Sequence, residues 1–310
     1  MIDSMREMAF LRRTRAAAAA AALLLGASLY GPASVAAEPS DFETLLAEGD
    51  RSWSRRAEGA TGDVAIPAPV DAAISEWRRA QAVRPDALAP RWRVMRALYY
   101  RGEYTGLDRA RQQAIFDDGR KEGEQALALL RKEASASSGK RLEDASPVEL
   151  VPFVKANPDA LPSFLWAAVD WGKWSLVFGK SAAVKQGAAA KIRDYSKAVI
   201  LLDPSYDEAG GYRVLGRLHH QTPSVPFFTG WASRSEALSN LRLAVKTAPR
   251  NMLNRVYLAE AIHDYEKEKR PEAVALLQGV VADSPATAAP VEDRRAQAEA
   301  AALLKAWGGA

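Results

Sequence analysis

The sequence contains no cysteine, and this absence removes several classes of site at once. A thiol nucleophile, a zinc site built from cysteines, a disulfide framework and a lipid attached to an N-terminal cysteine are all excluded. Without disulfides the fold must take its stability from buried apolar surface, and a chain of 310 residues is long enough to supply it.

Catalytic and metal-binding motifs are also missing. The only three histidines, His219, His220 and His263, have no carboxylate cluster at metal-ligand spacing and form no H-E-x-x-H motif. Neither a G-x-S-x-G turn nor a G-x-G-x-x-G loop after a strand is present. Because no acid, base and nucleophile can be grouped, we expect a protein that is not an enzyme and that holds neither a metal nor a cofactor.

Charge of one sign is not concentrated in any segment. The 42 lysines and arginines nearly balance the 38 aspartates and glutamates, which leaves a net charge of +4. No basic stripe with interleaved aromatic residues occurs, so a nucleic-acid partner is not expected.

The N-terminus is typical of an export signal. Arginines precede an apolar run at 16–25, and a proline and small residues follow it. We therefore expect a signal peptide at 1–37, cleaved between Ala37 and Glu38, and a periplasmic mature chain with no membrane span. An uncleaved membrane anchor is the alternative.

Helical spacing dominates the rest of the chain, and a short motif recurs within it. A small residue, a large apolar residue, a small residue and a proline follow one another at spacings of 4, 3 and 5. Positions three and four apart share a helix face, small residues let a partner helix approach, and the proline stops the helix. This pattern is typical of the second helix of a tetratricopeptide (TPR) hairpin. Two copies have identical spacing: Ala73, Trp77, Ala80 and Pro85, and Ala237, Leu241, Ala244 and Pro249.

The repeat predicts an all-α fold, a TPR-like right-handed superhelix of about five helical hairpins plus a C-terminal capping helix. It forms a single domain at 38–310. A long insertion at about 134–163, either a loop or a short extra helix, and a loop insertion at about 221–233 interrupt the period. The hairpins are predicted at 41–85, 86–133, 164–204, 205–249 and 250–285, and the capping helix at about 290–307.

Several segments together resemble the TRAP-transporter-associated TPR family, the T component or TatT. The segments are LPSFLWAAVDWGKW, LLDPSYDEAGGYRVLGRLHHQTPSVPF, APRNMLNRVYLAEA and the opening LLAEGDRSWSRR. The resemblance covers about 41–285, and its most specific part is Gly210-Gly211-Tyr212-Arg213 with the proline-rich insertion after it. Many members are lipoproteins, and this chain departs from them because it lacks cysteine.

The resemblance implies a periplasmic accessory protein of a TRAP transporter. Its partner would be the substrate-binding (P) subunit, and it would handle an apolar or amphipathic organic ligand. The family also implies a cavity or pore through the superhelix and self-association as a trimer. A generic periplasmic TPR scaffold, which docks a protein or peptide in its concave groove, is the alternative.

The stretch 164–179 holds two candidate ligand-binding tryptophans, Trp166 and Trp174. With two internal charges and sixteen residues, it is too polar and too short for a membrane span, and its apolar residues share one helix face. Trp166, Asp170 and Lys173 lie on the flank of that helix, where they would form a cleft wall with a polar handle. The alternative is a core Trp166 beside a solvated Asp170–Lys173 pair. We expect Trp166 and Trp174 to border a cavity, and three residues to be core: Ala167, Ala168 and Trp171.

Two further groups are candidate ligand or partner contacts. Tyr212, Arg213 and Arg217 lie near the start of a first helix, where the arginines would bind a carboxylate. The alternative is that these arginines pair with Asp207 or Glu208. The comparable positions of the next repeat are Asn254 and Arg255.

The loop insertion adds Phe227 and Phe228, together with Trp231. Three large aromatic residues in a polar loop either meet a partner or fold back on the helices.

Overall fold

The all-α class is confirmed by the computed structural model, which describes residues 40–222 and 229–308. The described residues from 41 onward belong to one compact unit. They form thirteen α-helices, and that part of the chain contains no β-strand, only one isolated bridge between Thr61 and Val64. The predicted signal peptide and the predicted contacts Phe227 and Phe228 lie outside the described residues.

The helices follow one another through short connections, and a 3-10 turn at Lys267–Lys269 precedes α12. In chain order they are α1 Asp41–Ser54, α2 Pro67–Val83, α3 Leu88–Tyr104, α4 Arg109–Ser138, α5 Pro147–Val154, α6 Ala160–Phe178, α7 Lys180–Lys185, α8 Ala188–Leu202, α9 Tyr206–Gln221, α10 Arg234–Thr247, α11 Met252–Tyr265, α12 Arg270–Ala282 and α13 Pro290–Ala306.

Each predicted hairpin coincides with two helices that pack against each other: α1 with α2, α3 with α4, α6 with α8, α9 with α10, and α11 with α12. Helix α4 extends five residues beyond the predicted end at 133, and α5 occupies the predicted insertion. The short helix α7 lies between the two helices of the third hairpin and was not expected.

Local sequence explains where several helices begin and end. Asp108 accepts a hydrogen bond from the Arg111 amide at 2.9 Å and so caps α4, which ends at Gly139 with a φ of 66°. Ser146 and Glu149 form a reciprocal capping box at the start of α5. These contacts satisfy amide groups that a helix cannot satisfy internally.

Small residues hold paired helices close together. The three helical positions of the recurring motif are fully buried in both copies of identical spacing, whereas the prolines that follow are exposed. A Cβ atom added at Gly216 would lie 2.7 Å from Cγ of Leu241, and one added at Gly102 would lie 2.5 Å from the ring of Phe116. Only glycine permits the observed approach of α9 to α10 and of α3 to α4.

The last helix packs against the first two hairpins. Val291 of α13 is fully buried in a cluster with Val70, Tyr100 and other residues of α2 and α3. Arg56 pairs with Glu292 at 3.0 Å, and Arg295 pairs with Asp63 at 2.5 Å. The helical array therefore closes on itself through contacts between residues more than 200 positions apart.

Candidate functional site

Polar and aromatic side chains from five helices meet inside the closed array. The centre of this group, which we call the interior cluster, is an ion pair between Lys173 of α6 and Glu103 of α3 at 2.5 Å. Arg295 of α13 lies 3.7 Å from the other oxygen of the same carboxylate. The Lys173 and Glu103 side chains are 21% and 18% exposed, so water reaches them inside the fold. The interior cluster consists of Arg96, Tyr99, Glu103, Tyr104, Trp166, Lys173, Arg217, Tyr257, Glu260, Arg295 and Glu299.

Tyrosines surround the central ion pair. The hydroxyls of Tyr99 and Tyr104 are 3.1 Å apart, and the Tyr99 ring lies 5.7 Å from the Trp166 indole. Burial raises the pKa of both phenols, so both hydroxyls keep their protons. Burial alone would lower the pKa of Lys173, but the carboxylate of Glu103 overcomes this effect and raises it.

Helices α9, α11 and α13 contribute the opposite side of the interior cluster. Arg217 donates to Glu260 at 2.6 Å, and its guanidinium lies 4.2 Å from the centre of the Tyr257 ring. Burial raises the pKa of Glu299, and the nearby charge of Lys173 partly opposes this rise. Among the described residues Glu299 has no hydrogen-bond or ion-pair partner, in contrast to Glu103 and Glu260.

Arg96 of α3 occupies a distinct position at the edge of the interior cluster. Its guanidinium lies 4.3 Å from the Trp53 ring centre and 5.1 Å from that of Trp92. Its Nε atom is buried without a hydrogen-bond partner. Burial, together with the neighbouring cations Arg93 and Arg56, lowers the pKa of Arg96 to about 10.

Of the predicted tryptophan sites, the interior cluster includes Trp166 but not Trp174. Both indoles are buried, at 9% and 6% exposure, and Trp171 is fully buried as expected. Trp174 donates its ring N–H to Asp117 at 3.1 Å and stacks on Phe178 at 4.6 Å. Trp174 therefore lies outside the interior cluster, because these contacts direct its ring N–H toward α4.

Both interpretations of Asp170 are wrong. Its side chain is fully buried and faces Gly119 of α4, so it is neither a handle in a cleft nor a solvated partner of Lys173. Its two carboxylate oxygens have no hydrogen-bond partner among the described residues. Burial, with the nearby charges of Asp118 and Glu122, raises its pKa well above the usual range. The closeness of the Gly119 backbone explains why water is excluded.

Arg213 and Asn254 stabilise a junction between repeats. Residues Asp207, Glu208 and Ala209 have φ angles of 49°, 53° and 66°, a left-handed conformation that costs about 1–2 kcal/mol per residue. Arg213 pairs with the Asp207 carboxylate at 2.6 Å, as the alternative interpretation predicted, and also donates to the fully buried Asn254 at 3.2 Å. Asn254 donates to the Glu208 carbonyl at 3.0 Å, so both side chains hold this turn in place.

The remaining predicted contact residues lie at separate places in the fold. Arg217 does not pair with Asp207 or Glu208, since Glu260 is its partner. Arg255 pairs with Asp283 at 2.5 Å, and Tyr212 is partly buried on α9 outside the interior cluster. Of the insertion aromatics that the structure describes, Trp231 folds back onto His219, with ring centres 5.1 Å apart.

Open grooves also lie on the surface of the described residues. The larger of two open grooves has a volume of about 510 Å³ and lies along α10, where its Arg242 is already paired with Glu266. Within residues 40–222 and 229–308, no group of three histidine or carboxylate side chains could hold a metal ion. In the same ranges no helix has the length and apolarity needed to cross a bilayer.

Neither a protein-family model nor a curated protein sequence matches this chain. The candidate site is therefore defined by the geometry of its own residues. Sequence reasoning missed Arg96, Tyr99, Glu103 and Glu299. A signal was available for the first three, because positions 96, 99 and 103 share one face of α3.

Proposed function

We propose that this chain is an exported accessory protein without catalytic activity, which holds a small amphipathic organic ligand inside a closed TPR-like right-handed superhelix. The observation that carries this proposal is the interior cluster. Aromatic rings and a few charged groups from α3, α6, α9, α11 and α13 meet in a space that water reaches, and this mixture is characteristic of small-molecule sites.

The closure of the array favours a small ligand over the alternative, a peptide in an open concave groove. Contacts of Arg56, Val291 and Arg295 join α13 to the first two hairpins. A peptide docked across the inner face would need these contacts to separate, whereas a small molecule needs only a narrow entrance.

A TRAP-type transport system is the proposed setting, and its substrate-binding (P) subunit is the proposed partner. This part rests on the resemblance of the segments around Trp166 and Gly210-Gly211-Tyr212-Arg213 to the family of TRAP-associated TPR proteins. Self-association as a trimer and export to the periplasm belong to the same proposal. Genes for TRAP subunits beside the gene for this chain, and copurification with the P subunit, are the observations that would support it.

The ligand-binding function can be tested with an uncharged amphiphile. Titration of the purified protein with 1-decanol should raise its melting temperature and change its tryptophan fluorescence, because Trp166 lies in the interior cluster. Tyr257→Ala removes a ring of that cluster and should reduce the effect. Tyr212→Ala serves as the matched control, since Tyr212 lies on α9 outside the interior cluster. Absence of any decanol response in the wild-type protein would rule out this function.

A further inference from the structure

Arg96 differs from the other cations of the interior cluster because no acidic side chain among the described residues forms an ion pair with it. Lys173 has Glu103, Arg217 has Glu260 and Arg295 has Asp63 as ion-pair partners. Among the described residues Arg96 has no ion-pair or hydrogen-bond partner, and its contacts are the faces of Trp53 and Trp92.

The charges around Arg96 favour the binding of an anion beside its guanidinium. The positive charges of Arg93 and Arg56 lower the stability of its charged form, and the smaller influence of the Asp50 carboxylate opposes them only in part. Those two arginines are neutralised by Asp50 at 2.9 Å and Glu292 at 3.0 Å. A buried cation with cationic neighbours costs free energy unless a negative group comes close.

The geometry leaves one part of the guanidinium available. Two indole rings lie against the guanidinium, and the edge that carries its N–H donors has no hydrogen-bond partner among the described residues. Only Nε is sealed from solvent, and the terminal nitrogens remain accessible. Such an edge can donate two parallel hydrogen bonds to a carboxylate.

The positions next to Arg96 suit the rest of an amphipathic molecule. Tyr99 follows one turn later on the same face of α3, and its ring contacts Trp166. An acidic head group bound at Arg96 would therefore extend its apolar part along these rings, toward the central pair of Lys173 and Glu103.

We propose that Arg96 is the anion-binding residue of the interior site and that the ligand is an amphipathic organic acid. This inference rests on the proposed ligand-binding function and names its ligand class. The role of anion binding is thus assigned to Arg96 instead of Arg213 and Arg217, because those two side chains already form ion pairs with Asp207 and Glu260.

Three probes with the same ten-carbon chain test the proposal: decanoate, 1-decanol and decylammonium. Dissociation constants are measured by tryptophan fluorescence and calorimetry at low salt, below the concentrations at which the probes form micelles. The wild-type protein should bind decanoate at least roughly tenfold more tightly than decanol, and decylammonium least tightly. Added salt should weaken the binding of decanoate more than that of decanol.

Arg96→Gln should remove the preference for decanoate, so that the variant binds decanoate no more tightly than decanol. Arg96→Lys keeps the positive charge but loses the planar donor edge, so it should retain only part of the preference. Arg250→Gln is the matched control, because Arg250 is an exposed arginine in the loop before α11, and it should behave like the wild-type protein.

The outcomes separate this inference from the function on which it rests. If decanol binds but the wild-type protein shows no preference for decanoate, or if Arg96→Gln keeps that preference, the assignment of Arg96 is wrong and the ligand-binding function stands. If no probe binds at all, the proposed function itself fails. If Arg96→Gln does not fold, two other measurements test the assignment: the preference of Arg96→Lys for decanoate over decanol, and the salt dependence of decanoate binding to the wild-type protein.

Discussion

Asp170 provides the sharpest test of the structure, because its burial makes stability depend on pH in an unusual direction. The carboxyl group is fully buried against Gly119, and neither of its oxygens has a partner among the described residues. Burial and the nearby Asp118 and Glu122 raise its pKa. The folded state therefore binds this proton more tightly than the unfolded state does.

The sign of the effect follows from this difference in proton binding. An aspartate in the unfolded chain has a pKa of about 3.9, and below that pH both states are protonated and the group costs nothing electrostatically. As the pH rises above 3.9, the unfolded state loses its proton first, which favours unfolding. While the folded carboxyl stays protonated, each pH unit lowers the free energy of unfolding by about 1.4 kcal/mol.

Asp170→Asn keeps the shape of the side chain and removes the titration. Near pH 4 the two proteins should differ by no more than about 1 kcal/mol, since both bury an uncharged polar group without a partner. As the pH rises from 4, the variant should become the more stable of the two, by about 1.4 kcal/mol per pH unit for as long as the folded Asp170 stays protonated. For a chain of this length each kcal/mol of that gain corresponds to roughly 2 °C in melting temperature.

The assay is urea unfolding followed by circular dichroism at pH 4, 5, 6 and 7. Other carboxyl groups, such as Asp117 and Glu266, have lowered pKa values and contribute slopes of opposite sign. The informative quantity is therefore the difference between variant and wild type at each pH. Asp144→Asn, at an exposed position, is the control and should give a flat difference. Parallel curves for Asp170→Asn and wild type would refute the burial of a protonated carboxyl.

Four further substitutions test the packing of the helices, the closure of the array and the turn at Asp207. Gly216→Leu should destabilise the fold by roughly 1–3 kcal/mol in urea unfolding because it would collide with Leu241, whereas Gly172→Ala, with no atom within 4 Å, should stabilise it by about 0.5–1 kcal/mol. Glu292→Gln breaks the pair with Arg56 and should speed hydrogen exchange in α13, most clearly at low salt. Asn254→Ala should cost about 1–3 kcal/mol of thermal stability, because it removes the bonds to Arg213 and to the Glu208 carbonyl.

The helices could be predicted because the signal for each is local. A small residue at the contact point of a helix pair is required by the distance between the two axes, so Ala73 and Ala80 or Ala237 and Ala244 reveal the hairpin directly. The short helix α7 escaped prediction because its six residues bury no side chain and so leave no periodic pattern.

The candidate site could be predicted only in part, because pairing partners lie in other repeats. Arg217 meets Glu260 and Arg213 meets Asn254, which are 43 and 41 positions away. Such pairs depend on the angle by which each repeat is rotated relative to the next. That angle cannot be read from a single sequence. The closure of the array is still harder to predict from the sequence, since the paired residues Arg56 and Glu292 are 236 positions apart.

The same limit explains why the sequence highlighted two arginines whose charges are paired inside the fold. Arg213 and Arg217 stand out because they are four residues apart beside a distinctive glycine pair, yet their charges are used inside the fold. Arg213 offsets the cost of the left-handed turn at Asp207, and Arg217 neutralises Glu260. A residue is available to a ligand only where the fold leaves its charge unpaired. In the interior cluster Arg96 meets that condition, so the anion-binding role is proposed there rather than at Arg213 and Arg217.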